Sequence, residues 1–430
     1  MTFRDDLDRA AGWADDYLRR VGDLPVAARV EPGQIRARLP ASAPEQPEPF
    51  EALLRDLDDV ILPGITHWNH PRFFAWFANT GSEPGVLAEL LIAALNVNNM
   101  TWLSSPAATE LELTVMDWLA QLLGLPREWH GHIEDTASTA TVAALAAART
   151  RRPGGVVYAS EQANVSVEKA AHLVGLEFRK VGVDDAFRMR ADVSLDDATA
   201  VVATVGTTGT TSVDPVPELA RRCEDAGVWL HVDAAYAGAA WVCPELRWSL
   251  EGVDRADSVV VNPHKWLFTP MDCSTLWTRR PEALHEAFAS TREYLPATED
   301  AIDLRDFGPA LGRRFRSLKL WFVLRWYGAE GLRALIREHV RLAQLFAALV
   351  EAEPGWEVVA PHPFSTVCFR HLEADNDAIA RAATATGELF VASSRLRGEA
   401  MIRLAIGNAQ TTEGDIRRSW EVLRECAAAL

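Results

Sequence analysis

The sequence predicts an α/β protein built on a mostly parallel sheet. Two observations carry that expectation. Between residues 155 and 278 lie five short β-branched runs: GVVYAS (155–160), AVVATV (200–205), VWLHVDA (228–234), SVVVN (258–262) and STLWT (274–278). Each is near-continuously apolar, as strands covered on both faces are. Helical segments lie between several of them, and such alternation makes a mostly parallel sheet with helices on both faces.

Composition allows such a core. The chain has 430 residues, 48% hydrophobic and 24% charged, enough for two or three domains. Lys and Arg number 43 against 60 Asp and Glu, a formal charge of −17. That acidity argues against nucleic acid and anionic membrane surfaces as partners. No stretch approaches the roughly 20 apolar residues of a membrane span, and the acidic start MTFRDDLDRAAGWADD lacks a secretory h-region. The cysteines at 223, 243, 273, 368 and 426 are far apart and form no CxxC pair. Reduced thiols in a cytoplasmic protein are the simplest reading.

A polar helix opens the chain, and PASAPEQPEP (40–49) separates it from a second one starting near Phe50. Four prolines make that stretch unfit for a helix interior. THWNHPRFFAWFANTGSEPG follows, too rich in Pro and Gly for one regular element. A helix then starts with Ser105 as N-cap and Pro106 in its first turn. Leu111, Val115, Trp118, Leu119 and Leu122 recur at helical spacing, and Gly124 and Pro126 stop it. The segment DTAST (135–139) opens an alanine-rich helix over 139–149. After 318 the pattern is helical, with Leu332, Leu335, Ile336, Ala343, Phe346 and Val350 on one face. Short strands EVVA (357–360), TVCFR (366–370) and MIRLAI (401–406) then mix with a last helix around 412–428. The division expected is an N-terminal helical, dimerising segment (1–82), a large α/β domain (83–318) and a small C-terminal α+β domain (319–430).

Ligands of open α/β sheets bind beyond the carboxyl ends of the strands. Asp233 follows VWLHV, Asn262-Pro263-His264-Lys265-Trp266 follows SVVV, and GTTGTT (206–211) follows AVVATV. One rim would therefore carry a carboxylate, a lysine, a histidine, hydroxyls and a helix N-terminus. A pyridoxal phosphate site needs those parts. A lysine forms the Schiff base, and a carboxylate keeps the pyridine nitrogen protonated. Amides and hydroxyls at a helix start hold the phosphate.

These residues sit in longer stretches that resemble the group II pyridoxal-phosphate-dependent amino acid decarboxylases, of the aromatic-L-amino-acid decarboxylase type. HPRFFAWFANT, TWLSSPAATELELTVMDWL, DTASTATVAALAAART, YASEQANVSVEKA, ATVGTTGTTSVDPV, WLHVDAAYAGAAW, ADSVVVNPHKWL and LGRRFRSLKLWFVLRWYG occur in family order and span most of residues 60–345. The resemblance implies fold type I, the aspartate aminotransferase-like architecture, and a homodimer with shared active sites. It implies that Lys265 is the Schiff-base lysine and that Asp233 pairs with the pyridine nitrogen. Ala235 would pack on one ring face, with Ala137, Ser138, Asn262 and His264 around the phosphate and Thr208 supporting Asp233. Tyr294 matches the tyrosine of the mobile catalytic loop. Trp68, Trp76, Phe77 and Asn79 would line the substrate side, with Asn98 and Met100 from the partner chain. Gly312 sits where aromatic-specific members carry glycine.

The chain also departs from the pattern. Asn164, in SEQAN, replaces the family's ring-stacking histidine, FFAWFAN replaces FFAYFPT, and Met100 replaces the partner-chain aromatic. The implied activity is decarboxylation of an aromatic L-amino acid to its amine, with Tyr294 as proton donor. Asn164 opens an alternative, decarboxylation coupled to oxidative deamination by dioxygen with an aldehyde product, because an amide is no general acid near neutral pH.

Plainer readings stand beside these. Asn164 suits the N-cap of VSVEKAAHL, and capping and cofactor contact are compatible. Ser138 and Thr139 could serve only as a helix cap. His67 with His70, and His130 with His132, lack an evident third ligand, so no metal site is expected. The basic run Arg313 to Lys319 reads as helix-start packing and loop anchoring rather than a phosphate patch.

Overall fold

The computed structural model describes residues 2–77, 79, 81–289 and 301–430. Two compact units divide the chain. One comprises residues 79–345 and 359–368, the other residues 1–78, 346–358 and 369–430.

The larger unit is built on seven strands: β1 (His130–Glu134), β2 (Val156–Ser160), β3 (Glu177–Val181), β4 (Ala198–Thr204), β5 (Trp229–Asp233), β6 (Ser258–Val261) and β7 (Ser274–Thr278). Their order across the sheet is β1-β7-β6-β5-β4-β2-β3. Strands β2 to β6 pair in parallel, and β7 runs antiparallel to both of its neighbours. The five apolar runs are all strands here. β1 and β3 escape the apolar-run criterion, because HGHIE and EFRKV alternate or expose polar residues. Central β2, β4, β5 and β6 are buried at every position, which is why they read as unbroken apolar runs.

Helices flank this sheet. Ala137–Arg151 and Val165–Leu173 form one buried cluster with strand residues Val157, Ala200, Val202 and Val260. The alanines of the first helix let it approach the strands closely. Helix Val216–Ala226 packs on β4 and β5. Helix Pro106–Leu123 starts at Ser105, whose hydroxyl accepts the Ala108 amide at 3.3 Å, and ends at Gly124 with φ +82°. Its Val115 and Leu119 are buried as expected, whereas Trp118 is 40% exposed. The alanine-rich helix begins two residues before its expected start. Thr136 is the cap, its hydroxyl accepting the Thr139 amide, so Ser138 and Thr139 are inside the first turn.

The second unit centres on a smaller sheet: β8 (Trp356–Val358), β9 (Thr366–His371), β10 (Ala392–Leu396) and β11 (Glu399–Ala405), in the order β10-β11-β9-β8. Here β10 was not anticipated, since ASSRL is half exposed and polar. Trp356, Phe369, Phe346 and Trp420 pack together with ring centroids 5.0–6.5 Å apart, joining this sheet to the C-terminal helix Glu413–Ala428. The aromatic segment after residue 66 joins the same unit. Phe74 donates to the Phe390 carbonyl at 2.8 Å and accepts from the Ala405 amide at 3.0 Å.

Arg316–Glu351 runs as two helices across a kink at Gly328, whose φ of +61° and ψ of 176° break the helical path. Among the described helices none is long and apolar enough to cross a membrane.

Candidate active site

The carboxyl ends of the parallel strands converge on one rim of the seven-stranded sheet, and each delivers a different chemical group. β5 ends in Asp233, which is buried. Its Oδ1 accepts the Ala235 amide at 3.0 Å, and its carbonyl accepts the Val205 amide at 2.9 Å. The other carboxylate oxygen takes no hydrogen bond from the described residues. Ala235 is buried beside it, and its carbonyl accepts the Asn262 amide at 3.0 Å. That bond ties the chain after β5 to the chain after β6.

Past β6 comes the short helix Pro263–Trp266, where the Lys265 amide bonds the Asn262 carbonyl at 2.9 Å. Lys265 is half-buried between two buried neighbours, His264 and Trp266. Trp266 anchors the turn: its indole donates to His339 Nδ1 at 2.9 Å, and Tyr236 stacks on it at 5.0 Å. His264 Nδ1 accepts the Cys273 amide at 3.0 Å. Burial, with Lys265 nearby, pushes the imidazole down to about 3. Its Nε2 lies 3.2 Å from Asn262 Nδ2. Asn262 is held in turn by the Ser274 hydroxyl at 2.6 Å. His264 is held neutral and is unsuited to titrate near pH 7.

Beyond β2, Asn164 caps helix Val165–Leu173. Its Oδ1 accepts the Ser166 amide at 3.0 Å, while its Nδ2 donates to the Thr208 hydroxyl at 3.1 Å. Both ends of the amide are fixed. Thr208 bonds Asn164, and no hydrogen bond joins it to Asp233 among the described residues. Beyond β1, the first-turn amides of Ala137 and Ser138 face the same rim, past the Thr136 cap.

Sequence reasoning missed Asp214. It is fully buried and clamps the loop after β4, accepting the Met189 amide and the Thr204 amide at 2.7 Å each. Burial raises its carboxyl to about 7, with the neighbouring Asp233 charge adding a smaller push. Its only sequence signal was an acid closing a run of threonines, in GTTGTTSVD. Gly206 opens that loop at φ +84°, and a Cβ there would lie 2.6 Å from the Ala237 Cβ, so the tight turn requires glycine.

The substrate-side candidates fall into separate groups. Asn98, Met100 and Gly312 lie together in the larger unit. Asn98 Oδ1 accepts the Arg313 amide at 2.9 Å and its Nδ2 reaches Met100 Sδ at 3.8 Å. A Cβ at Gly312 would meet Asn98 Nδ2 at 3.8 Å. Asn79, half-buried in the same unit, donates to Met271 Sδ at 3.3 Å. Trp68, Trp76 and Phe77 belong to the smaller unit, where Trp68 and Trp76 stack at 5.5 Å. Trp76 is 47% exposed and held at φ +51°, an uncommon conformation for a bulky residue. Arg403 lies 5.0 Å over the Phe77 ring. Tyr294 lies outside the described residues.

The basic run after residue 312 is spent on ion pairs. Arg313 pairs with buried Glu112, Arg314 and Lys319 with Glu89, and Arg316 with Asp272 at 2.9 Å. His67 Nδ1 meets the Tyr17 hydroxyl at 2.9 Å, and His70 Nε2 meets the Gly22 carbonyl at 3.1 Å.

Comparison with known proteins gives the family. The pyridoxal-dependent decarboxylase conserved domain matches residues 32–372. The chain is 40% identical to the aromatic-L-amino-acid decarboxylase of Sus scrofa, over 96% of this chain and 94% of that protein. It is 38% identical to a phenylacetaldehyde synthase of a Rosa hybrid cultivar, over 96% and 92%. The Oryza sativa TDC structure with PLP and tryptamine superposes with a TM-score of 0.95 at 34% identity, covering 99% of this chain and 97% of that one. The chain belongs to the pyridoxal-dependent decarboxylase family, whose cofactor is pyridoxal phosphate, and its fold is of type I. The rim fits that cofactor. A buried carboxylate keeps one oxygen open for a pyridinium N–H, an amine follows the next parallel strand, and a helix start offers amides to a phosphate.

Proposed function

We propose, on the premise that this chain is a pyridoxal-dependent decarboxylase, that it converts an aromatic L-amino acid to the corresponding amine and CO2. Tryptophan, tyrosine, phenylalanine and dopa are the candidate substrates. The observation that carries the reading is the pairing of Asp233 and Lys265 beyond the ends of adjacent parallel strands, linked through the Ala235–Asn262 backbone bond.

Bound at this rim, pyridoxal phosphate supplies an electron sink for the pair left when the Cα–carboxylate bond breaks. Asp233 holds a proton at the pyridine nitrogen through its open oxygen, and burial strengthens that pair. The Lys265 amine anchors the cofactor's aldehyde carbon. Ala137, Ser138, Asn262 and neutral His264 position its phosphate. Ala235 presents a flat, small surface to one ring face. Asn164 and Thr208, locked to each other, occupy the opposite side. Tyr294 is the proposed proton donor to Cα.

Trp68, Trp76, Phe77 and Asn79 are the proposed substrate-side residues, and Gly312, Asn98 and Met100 belong to the pocket completed in a homodimer. A dimer is supported by the apolar face of helix Glu83–Leu95, where Leu87, Leu90, Leu91 and Leu95 stay 44–57% exposed.

Asn164 favours a second reading. Its amide has both ends occupied and no proton to give, so the electron pair at Cα can meet dioxygen. The balanced outcome consumes one O2 and one water and yields aldehyde, CO2, ammonia and hydrogen peroxide. One experiment separates the two. The loaded enzyme is incubated with each of the four amino acids while amine, aldehyde and oxygen uptake are recorded together. Amine without oxygen uptake supports the decarboxylase, and aldehyde with stoichiometric uptake supports the oxidative deaminase. Absence of every product from all four removes the aromatic assignment.

A further inference from the structure

The opposite rim of the seven-stranded sheet carries a cavity that the chemistry above does not use. It encloses about 260 Å³ at the amino ends of β4, β5 and β6, lined by Thr199, Trp229 and Asp257. The carboxyl end of β7 and the end of helix Ala137–Arg151 close it with four arginines, Arg151, Arg152, Arg279 and Arg280. Two carboxylates lie among the lining residues, Asp257 and Glu224, and Glu224 is engaged by Arg255.

The arginines are under-neutralised. Arg279 Nε and Arg280 Nε share a single oxygen of Asp257, at 3.2 and 2.8 Å. The other Asp257 oxygen is taken by the Leu230 amide at 2.9 Å. Asp257 is buried, so this half of the site is built into the sheet rather than scattered on its surface. The terminal nitrogens of Arg279 and Arg280 take no partner among the described residues. Arg152 spends its nitrogens on the Ala226 and Asp196 carbonyls, at 3.4 and 2.8 Å, which leaves its charge uncompensated. Arg151 is exposed, and its side chain makes no ion pair or hydrogen bond with the described residues.

A protein of charge −17 has here concentrated positive charge around a concavity. Guanidinium groups with open, planar N–H pairs match carboxylate and phosphate oxygens two at a time. The apolar part of the wall, Ala148, Val228 and the Trp229 ring, leaves room for a small carbon framework.

We propose that this cavity binds a compact polyanion, an organic molecule with two or more phosphate or carboxylate groups. It is distinct from the cofactor's phosphate position. β5 alone separates the two rims by its five residues, about 13 Å at the usual strand rise.

The test is calorimetric titration of the pyridoxal-phosphate-loaded enzyme at fixed ionic strength, with inorganic pyrophosphate in one arm and citrate in the other. Chloride at matched ionic strength is the control. The expected result is saturable binding of one anion per chain in at least one arm, and the tighter arm identifies phosphate or carboxylate as the recognised group. Arg279→Gln with Arg280→Gln should weaken that binding by roughly tenfold or more. Because that pair of changes strips Asp257 of its partners, Arg151→Glu is the second variant. The Arg151 side chain makes no ion pair or hydrogen bond with the described residues, so this change should weaken binding about threefold or more with turnover unchanged and the melting temperature lowered by no more than a last-turn helix charge accounts for. No saturable heat in either arm overturns the proposal, as does binding that Arg151→Glu leaves untouched.

Discussion

The two rims of the large sheet are made from the same strands and obey opposite electrostatic rules. At the carboxyl rim, buried and half-buried polar side chains are mostly paired: Asn164 with Thr208, His264 with the Cys273 amide, Asn262 with Ser274. Asp233 keeps a carboxylate oxygen in reserve, and the Thr204 and Thr211 hydroxyls are also without a partner among the described residues. At the amino rim, four arginines surround a cavity with a single well-placed carboxylate between two of them. The first arrangement is preorganised, so its groups need little rearrangement when charge develops. The second holds unspent charge, and a binding partner from solution would complete it. Strand ends of like geometry thus become a reaction site or a charge trap according to how completely their polar groups are paired.

The largest effect that could break this contrast is at Lys265. Lys265→Ala should abolish the visible absorption of the cofactor-loaded enzyme and lower turnover by about 1,000-fold or more. An unchanged spectrum would remove the carboxyl rim as the cofactor site. Asp233→Asn comes next. It keeps shape but loses the charge at the open oxygen, and turnover should fall about 100-fold or more, with the fold intact by circular dichroism. Near wild-type rates would mean that this carboxylate has no role in stabilising developing charge.

Acid sharpens the comparison through groups that are buried neutral. His130, His231 and His264 are pushed down to about 3 and His70 to about 4, all chiefly by burial. Each binds its proton in the unfolded chain below about pH 6.5 but not in the folded one. Their stabilisation is therefore complete only well above pH 6.5 and is lost as pH falls toward 3. Asp214 works the other way. Burial raises it to about 7, so its contribution is present at low pH and is lost as pH rises through 7. Four histidines outweigh one aspartate. Between pH 4.5 and 6.5 unfolding should become harder as pH rises, with a net difference of about three protons near pH 4.5 that falls to about one at pH 6.5. Urea melts at the two pH values check the direction, and a flat profile would show that these rings are hydrated in solution.

Asn164 gives a smaller, two-part effect. Asn164→Ala removes a helix cap and should cost about 1 kcal/mol of stability. Asn164→His should leave less aldehyde among the products, because an imidazole can carry a proton where the amide cannot. Product ratios that do not move would assign Asn164 to capping alone.

Much of the carboxyl rim was legible in the sequence. Strands buried on both faces leave unbroken apolar runs, and the residue after each run must lie at a rim. Asp233, Asn262 and Lys265 could be located that way before any coordinates. β1, β3 and β10 could not, because edge or partly exposed strands carry mixed polarity that does not mark them out. Asn164 looked like a cap from its neighbours, and it is one. Its bond to Thr208 was invisible, because the two residues meet only when β2 and β4 pair. Asp214 was overlooked for the same reason: a carboxylate's importance lies in its burial and in the amides it clamps, and neither is written locally.

By itself, then, the sequence determined which segments become central strands and which polar residues follow them, since burial on two faces restricts composition residue by residue. Only the tertiary structure decided how those polar residues pair. It turned Thr208 toward Asn164 rather than Asp233, left one oxygen of Asp233 open, and gathered Arg151, Arg152, Arg279 and Arg280 from two distant parts of the chain around one cavity. Hydrogen bonds and unbalanced charge depend on distances of a few ångströms between residues far apart in sequence, and folding alone sets those distances.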